Sequence, residues 1–336
     1  MKLMICIMFV ISGVKAVREI PYITVNEQTD GREVLDIVVT MPVIATTEPD
    51  TYMCYGKSLD EIGEGYVLRS TIIADHDIVH HVSIGACEEP NYHGMWNCAA
   101  TNGTSCKGNA VNFGEWDAYS RKNGLQSFPE GVSLKVGGDV KLKYLVIEVH
   151  FKYPVIDPKT PPVNVTLTFV KEPTKYNFQT YMMMTDGFIP ANKDKGYFAE
   201  MACPWKKPPV QAFKFYLHTH HYGYMAEAFL IRNKTWTLLG SQLSQNKAKN
   251  EFRIPGGPIE IRTGDIIAAR CLYVNKETTP VKFGTKDNDE MCNVDIYIGY
   301  EPQYEEHFLR TPACLTILPE FSFCDHEQTD GICDTN

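Results

Sequence analysis

Ala212-Phe213-Lys214-Phe215-Tyr216-Leu217-His218-Thr219-His220 decides how this chain is read. The stretch is short and rich in aromatic residues, the composition of a β-strand. Stretches of the same kind recur at residues 67–73, 144–151, 163–170, 266–274 and 294–300, bounded by Gly, Pro, Asn and Asp. Long helical periodicity is absent, which predicts an all-β chain of antiparallel sheets rather than a parallel α/β sheet. Within a strand, residues i and i+2 face the same way, so His218 and His220 can present two imidazoles to one metal ion. A sulfur ligand candidate stands at Met291 and a second histidine set at His80, His81 and His150. Zinc, magnesium and calcium rarely use a thioether, whereas copper takes imidazole nitrogen and methionine sulfur together.

The ends and the composition bound the rest. Lys2, an apolar run from Leu3 to Ile11 and the small residues up to Ala16 predict a signal peptide over residues 1–16. The run is shorter than the ~20 apolar residues that span a bilayer, and no later stretch approaches that length. The expected product is a secreted or luminal protein without a transmembrane anchor. A formal charge of −9 argues against a nucleic-acid partner, which would favour a basic face. Eleven cysteines include Cys6 in the signal, leaving an even number for disulfides in an oxidising compartment. Cys54, Cys87, Cys98 and Cys106 cluster early and Cys203, Cys271, Cys292 and Cys314 late, as in two separately stapled units, with Cys324 and Cys333 in the tail. Spacing leaves the pairing open. Asn102, Asn164 and Asn233 head glycosylation sequons.

The length allows roughly two domains. The expected division is a signal peptide 1–16, an N-terminal sandwich 17–172, a C-terminal sandwich 173–318 and a tail 319–336, with the joint near Lys171-Glu172-Pro173-Thr174. Among the histidines, His76, His93, His307 and His326 read as structural or solvated. His80 and His81 are strand neighbours and normally face opposite ways, so their sharing one ion requires a bulge or a strand end. His150 closes the apolar run Leu145-Val146-Ile147-Glu148-Val149, where a hydrogen-bonded rim histidine is the plain alternative. His221 faces away from His218 and His220. Met291 alone would read as core filler, but a disulfide at Cys292 would hold its sulfur in place.

Five ordered segments carry a resemblance: Thr51-Tyr52-Met53-Cys54, Val79-His80-His81, Val149-His150-Phe151, His218-Thr219-His220-His221-Tyr222-Gly223 and Asp289-Glu290-Met291-Cys292-Asn293. Together they resemble the peptidylglycine α-hydroxylating monooxygenases, copper type II, ascorbate-dependent enzymes. Lys135-Val136-Gly137-Gly138, Trp236 to Gly240 and Gly264 to Cys271 support the match. The resemblance implies two jelly-roll-like sandwiches of eight or nine strands, facing each other across a solvent-filled cleft. It implies two copper ions, one on His80, His81 and His150 that stores electrons, and one on His218, His220 and Met291 where O2 binds beside the substrate. Ascorbate is the implied reductant and O2 the co-substrate. The implied disulfides are Cys54–Cys98, Cys87–Cys106, Cys203–Cys314 and Cys271–Cys292; a Cys324–Cys333 pair lies outside the family pattern.

The implied activity is hydroxylation of the α-carbon of C-terminal glycine in peptides, the first step of peptide amidation, in a secreted or secretory-granule setting. The chain ends soon after the second sandwich, so the expectation is a monofunctional hydroxylase served by a separate lyase. Of the family's three carboxylate-holding positions only Asn293 matches; Tyr216 stands where the family has arginine and Asp295 where it has tyrosine. Lys214 shares strand parity with Tyr216 and could supply a replacement cation, without the forked geometry of arginine. Glu148 stands where the family commonly has glutamine. Two alternatives follow: a monoamine β-hydroxylase drawn by Asp295, and a secreted copper-binding homologue without turnover. Against the first, the amine enzymes lack a second histidine like that of His220-His221.

Overall fold

The structure, a computed structural model, describes residues 23–25, 32–101, 105–118, 124–156, 159–243, 251–284 and 289–316. The expected signal peptide, Asn102, Cys324 and Cys333 lie outside these residues. In chain order the first half forms β1 (Ile23–Val25), β2 (Leu35–Met41), β3 (Thr51–Ser58), β4 (Gly65–Ile73), β5 (Val79–Pro90), β6 (Gly94–Asn97), β7 (Cys106–Asp117), β8 (Leu125–Ser127), β9 (Val132–Val136), β10 (Tyr144–Phe151) and β11 (Val163–Val170). The second half forms β12 (Tyr176–Thr185), β13 (Phe188–Ile189), β14 (Lys193–Pro204), β15 (Val210–His218), β16 (Gly223–Arg232), β17 (Thr235–Leu243), β18 (Glu251–Arg253), β19 (Ile259–Ile261), β20 (Ile266–Asn275), β21 (Val281–Lys282), β22 (Asn293–Tyr300) and β23 (Ala313–Thr316). Helix among the described residues is confined to three short 3₁₀ turns, and no helix is long and apolar enough to cross a membrane.

In the first half, a sheet ordered β6-β3-β10-β5-β7 lies over β1-β2-β11-β4-β9. Alternation in β10 shows why: Leu145, Ile147 and Val149 are fully buried against Ile37, Val165, Leu167 and Val67 of the other sheet. Each such side chain contributes roughly 1.5–3 kcal/mol on burial. Glu148 and His150 take the opposite parity and are left on the outer face, beside a small cluster of Trp96, Val146 and the cysteines of β3 and β5. In the second half, β12-β22-β15-β18 lies over β14-β20-β16-β17. Tyr181, Phe215, Leu217, Val294, Ile296 and Ile298 form one side of this core, and Met201, Leu230, Leu239, Ile267 and Tyr273 the other. The Phe215 ring occupies the space over Gly240, where a Cβ would stand 1.7 Å from its Cζ, so this position admits only hydrogen.

The two units are joined more intimately than a linker would require. β9 and β12 pair in parallel through Val132↔Tyr176 and Ser133↔Asn177, making one sheet run through both halves. The Ser133 and Thr174 hydroxyls hydrogen-bond at 2.6 Å beside this joint. Phe178 of β12 belongs to the first core, its ring tilted against Phe128 at 4.3 Å and meeting Tyr297 edge-on at 5.5 Å. Four disulfides close as the resemblance implies: Cys54–Cys98, Cys87–Cys106, Cys203–Cys314 and Cys271–Cys292. Each stays within its own half, and such bonds belong to an oxidising compartment.

Candidate metal centres

Antiparallel register puts the first histidine set together. His150 of β10 pairs with His81 of β5, and Phe151 pairs with Val79, leaving His80 as an extra residue on β5. That bulge is the device two neighbouring histidines need in order to turn toward one point. The ligand atoms of His80, His81 and His150 all lie within 4.8 Å of one another, and His80 Nδ1 sits 3.1 Å from His150 Nδ1. Asp50 accepts from His150 Nε2 at 3.2 Å, which leaves Nδ1 as the nitrogen facing the cluster. Tyr52, in register with His150 on β3, stacks on its ring at 4.1 Å. Burial, together with His150, His80 and His218, lowers the His81 pKa to about 3. Its imidazole therefore stays neutral at physiological pH, the form that binds a metal.

The second set stands on the outer face of the β12-β22-β15 sheet. His218 ends β15 and His220 follows in the turn, their rings 5.0 Å apart and nearly perpendicular. Gly223 closes this turn tightly against Thr219, where a Cβ would lie 2.2 Å from Oγ1. His220 Nδ1 is 2.7 Å from the Asp289 carbonyl oxygen, which leaves Nε2 available as a ligand atom. The buried carboxylate of Glu290 fastens Met291 to this turn. Its Oε1 accepts from the backbone N–H groups of His220 and of Met291, the latter at 2.8 Å. Its Oε2 accepts from Tyr222 N–H at 2.8 Å. Burial pushes the Glu290 pKa up, and the three N–H groups pull it down. Tyr273 donates its hydroxyl to the Met291 carbonyl oxygen at 2.6 Å, and the next residue, Cys292, is tied to Cys271. The Met291 sulfur lies 3.6 Å from Asn293 Nδ2.

Both sets sit on regular rows of side chains. Register across the second sheet aligns His218–Asn293–Met184, then Tyr216–Asp295–Met182, then Lys214–Tyr297–Thr180. Register across the first sheet aligns Tyr52–His150–His81, then Cys54–Glu148–Ser83–Glu115. The two sheets come together at the junction between the halves. His218 contributes to the lowering of His81, and Glu115 to the raising of Asp295. Thr180 donates to the Asn112 carbonyl oxygen at 3.2 Å across the junction, and Lys214 Nζ to the Ser127 carbonyl oxygen at 2.8 Å. Lys214 thus reaches to the first sandwich. Tyr216 lies parallel to His218 with ring centres 6.4 Å apart. Glu148 is buried enough that its pKa rises. His221 is exposed, Asn233 is exposed in the β16–β17 turn, and Asn164 lies on β11 with Thr40 donating to its side-chain oxygen at 2.7 Å. Sequence reasoning missed Glu290, Asp50 and Glu115 as site residues. Glu290 stood in a quoted motif, but no local pattern marks an acid as buried.

The donor chemistry of both sets suits copper: three imidazoles in one, two imidazoles and a thioether in the other. Comparison with known proteins agrees. Residues 36–157 match the family model described as copper type II ascorbate-dependent monooxygenase, N-terminal domain, and residues 176–320 match the C-terminal domain of the same family. The chain is 31% identical over 278 residues to peptidylglycine alpha-amidating monooxygenase of Rattus norvegicus, covering 81% of this chain and 27% of that protein. It is 31% identical over 267 residues to peptidyl-glycine alpha-amidating monooxygenase A of Xenopus laevis, covering 78% and 27%. Identity to dopamine beta-hydroxylase of Homo sapiens is 23% over 296 residues, covering 82% and 47%. The chain thus spans about a quarter of the length of the two amidating enzymes.

Proposed function

Since the chain belongs to the copper type II ascorbate-dependent monooxygenases, we propose that it hydroxylates the α-carbon of C-terminal glycine in peptides, within the secretory pathway or outside the cell. The observation that carries this reading is the pair of unlike donor sets on facing sheets, one all-nitrogen and one with a thioether. Bound copper would supply the one-electron chemistry linking ascorbate oxidation to O2 reduction, with the thioether favouring the reduced ion. In each turnover one C–H bond breaks and one C–O bond forms. The second oxygen atom leaves as water, made with two electrons from two ascorbate molecules and two protons.

His80, His81 and His150 would hold one ion, and His218, His220 and Met291 the other. Asp50 and Tyr52 fix the orientation of His150 by a hydrogen bond and a ring stack. Glu290 fixes the distance between the His218–Tyr222 turn and Met291 by gripping the backbone of both. Asn293, in register with His218, offers an amide to the substrate's terminal group beside the reacting carbon. Tyr216, Lys214 and Asp295 share that face.

The test is purified, copper-loaded protein with ascorbate, ¹⁸O2 and a glycine-extended peptide. The expected product is the α-hydroxyglycine peptide carrying one labelled oxygen. Copper binding without any labelled product would refute the reading. One observation favours a second substrate class: Glu115 and Asp295 bring two acidic side chains to the junction, a setting that suits an amine once Asp295 gives up its proton. A parallel incubation with tyramine and dopamine separates the two.

A further inference from the structure

We propose that the outer face of the β14-β20-β16-β17 sheet is the interface of a two-fold dimer of this chain. The other face of this sheet packs on the second core. An antiparallel sheet so placed ordinarily turns polar side chains to water. Here register stacks the outward residues in four rows, and three rows are apolar throughout, carrying Phe198, Phe229, Leu238, Leu243, Ile266 and Trp236. Phe198 is 39% exposed, Leu238 48% and Leu243 52%. The remaining row holds the charges of the face, in the order Glu200–Arg270–Glu227–Ser241. Four strands about 4.8 Å apart, each giving about seven residues at about 3.3 Å, make a face of roughly 19 by 23 Å. That is on the order of 450 Å² in projection, the size of patch that marks an interaction site and the same order as the ~800 Å² each partner gives to a specific interface.

The order of residues within the rows identifies the occupant as a second copy. A two-fold axis lying along the strands, between β20 and β16, turns the copies face to face and sets β20 over the partner's β16. Each row then meets itself reversed. Arg270 faces the partner's Glu227, and Glu227 the partner's Arg270. In the next row Ala202 and Ala268 face the partner's Leu238 and the partner's Phe229, small side chains against large ones. Charge and shape thus complement each other under a single operation, as an isologous contact requires. Within one chain Arg270 Nε donates to Glu227 at 2.8 Å, and the guanidinium lies 4.8 Å from the centre of the Phe198 ring and 5.5 Å from that of Phe229. A guanidinium carries five N–H donors, so it takes up a second carboxylate without releasing the first. The resulting ring of alternating charges satisfies ions that an apolar contact strips of water. A lipid surface would leave the same row facing hydrocarbon.

The inference is independent of the substrate, and the experiment reads mass rather than turnover. Sedimentation velocity of the copper-loaded full chain, from about 0.1 to 50 μM, is expected to show conversion to twice the monomer mass. Arg270→Glu sets like charges against each other across the axis and weakens association about 100-fold. Arg270→Glu combined with Glu227→Arg restores both the pair within a chain and the pair between chains, and so restores the dimer. Leu238→Lys, at an exposed position outside the core, weakens association at least about tenfold without altering circular dichroism or copper content. A monomer throughout the concentration range overturns the inference. A dimer that Leu238→Lys leaves intact overturns it in favour of another face, and loss of the dimer in Leu238→Lys with no rescue by the charge exchange overturns the two-fold arrangement. A monomer that floats with phosphatidylcholine vesicles, and loses this in Leu238→Lys, overturns it in favour of a membrane surface.

Discussion

Glu290→Gln probes the second centre without touching any proposed ligand. The native carboxylate accepts three backbone N–H groups on two oxygens, from His220 and Met291 on Oε1 and from Tyr222 on Oε2. Glutamine has the same shape but one acceptor oxygen. In its better orientation it keeps the His220 and Met291 bonds and turns its NH2 toward the Tyr222 N–H. One bond to a charged acceptor is lost, about 1.5–3 kcal/mol, and a donor is left facing a donor. The neutral amide recovers part of this, because burial opposes the charge of Glu290. The net loss of folding stability is about 1–3 kcal/mol. Its functional effect is local: the turn carrying His218 and His220 is no longer fixed to Met291, and the second ion binds about 10–100-fold more weakly. The first ion, held from β5 and β10, keeps its affinity. Titration of metal-free protein with copper against a competing chelator, paired with urea denaturation, reads both quantities. Two ions bound with unaltered affinity would falsify the role assigned to Glu290.

Three further outcomes are expected. Met291→Ala abolishes hydroxylation and lowers copper stoichiometry from two to one, leaving the His80, His81 and His150 set loaded; metal analysis and product formation check it, and normal activity refutes the ligand assignment. Gly240→Ala forces the Phe215 ring away from its place over β17, since the new Cβ would stand 1.7 Å from Cζ, and costs about 1–3 kcal/mol in chemical denaturation. For metal-free protein, Asp295 takes up a proton on folding between its ordinary pKa of 3.8 and its native value of about 8. Its contribution is present in full at pH values below that range and is lost as pH rises through it, so Asp295→Asn flattens the decline in stability from pH 5 to 8; an unchanged decline would contradict the assignment.

Much of the first centre was legible before folding, and its decisive feature was not. Alternation in Leu145 to His150 gives the strand and puts His150 opposite the core residues. Nothing local says that His80 is the surplus residue of a bulge, because a bulge is a relation between β5 and β10. The same limit hid Asp50, whose hydrogen bond to His150 spans 100 residues. In the second centre, His218 and His220 were readable from spacing two apart. Glu290 was in view beside Met291, yet its burial and three N–H partners depend on a turn some 70 residues earlier.

The sequence by itself determined the strand class, the division of cysteines into an early and a late group, the ligand types and the ordered motifs of a copper monooxygenase. These depend on side-chain identity and on periodicity along a single strand. Only the tertiary structure decided that the halves share a sheet through β9 and β12, that His218 bears on the protonation of His81, and that the carboxyl of Asp295 is buried with Glu115 adding to its raised pKa. The reason is physical: protonation and hydrogen bonding depend on what surrounds a group in space, and in a sheet protein the nearest neighbours come from strands far away in sequence. An aspartate at position 295 reads as a negative charge along the chain. In the fold, burial and a second carboxylate keep its proton on.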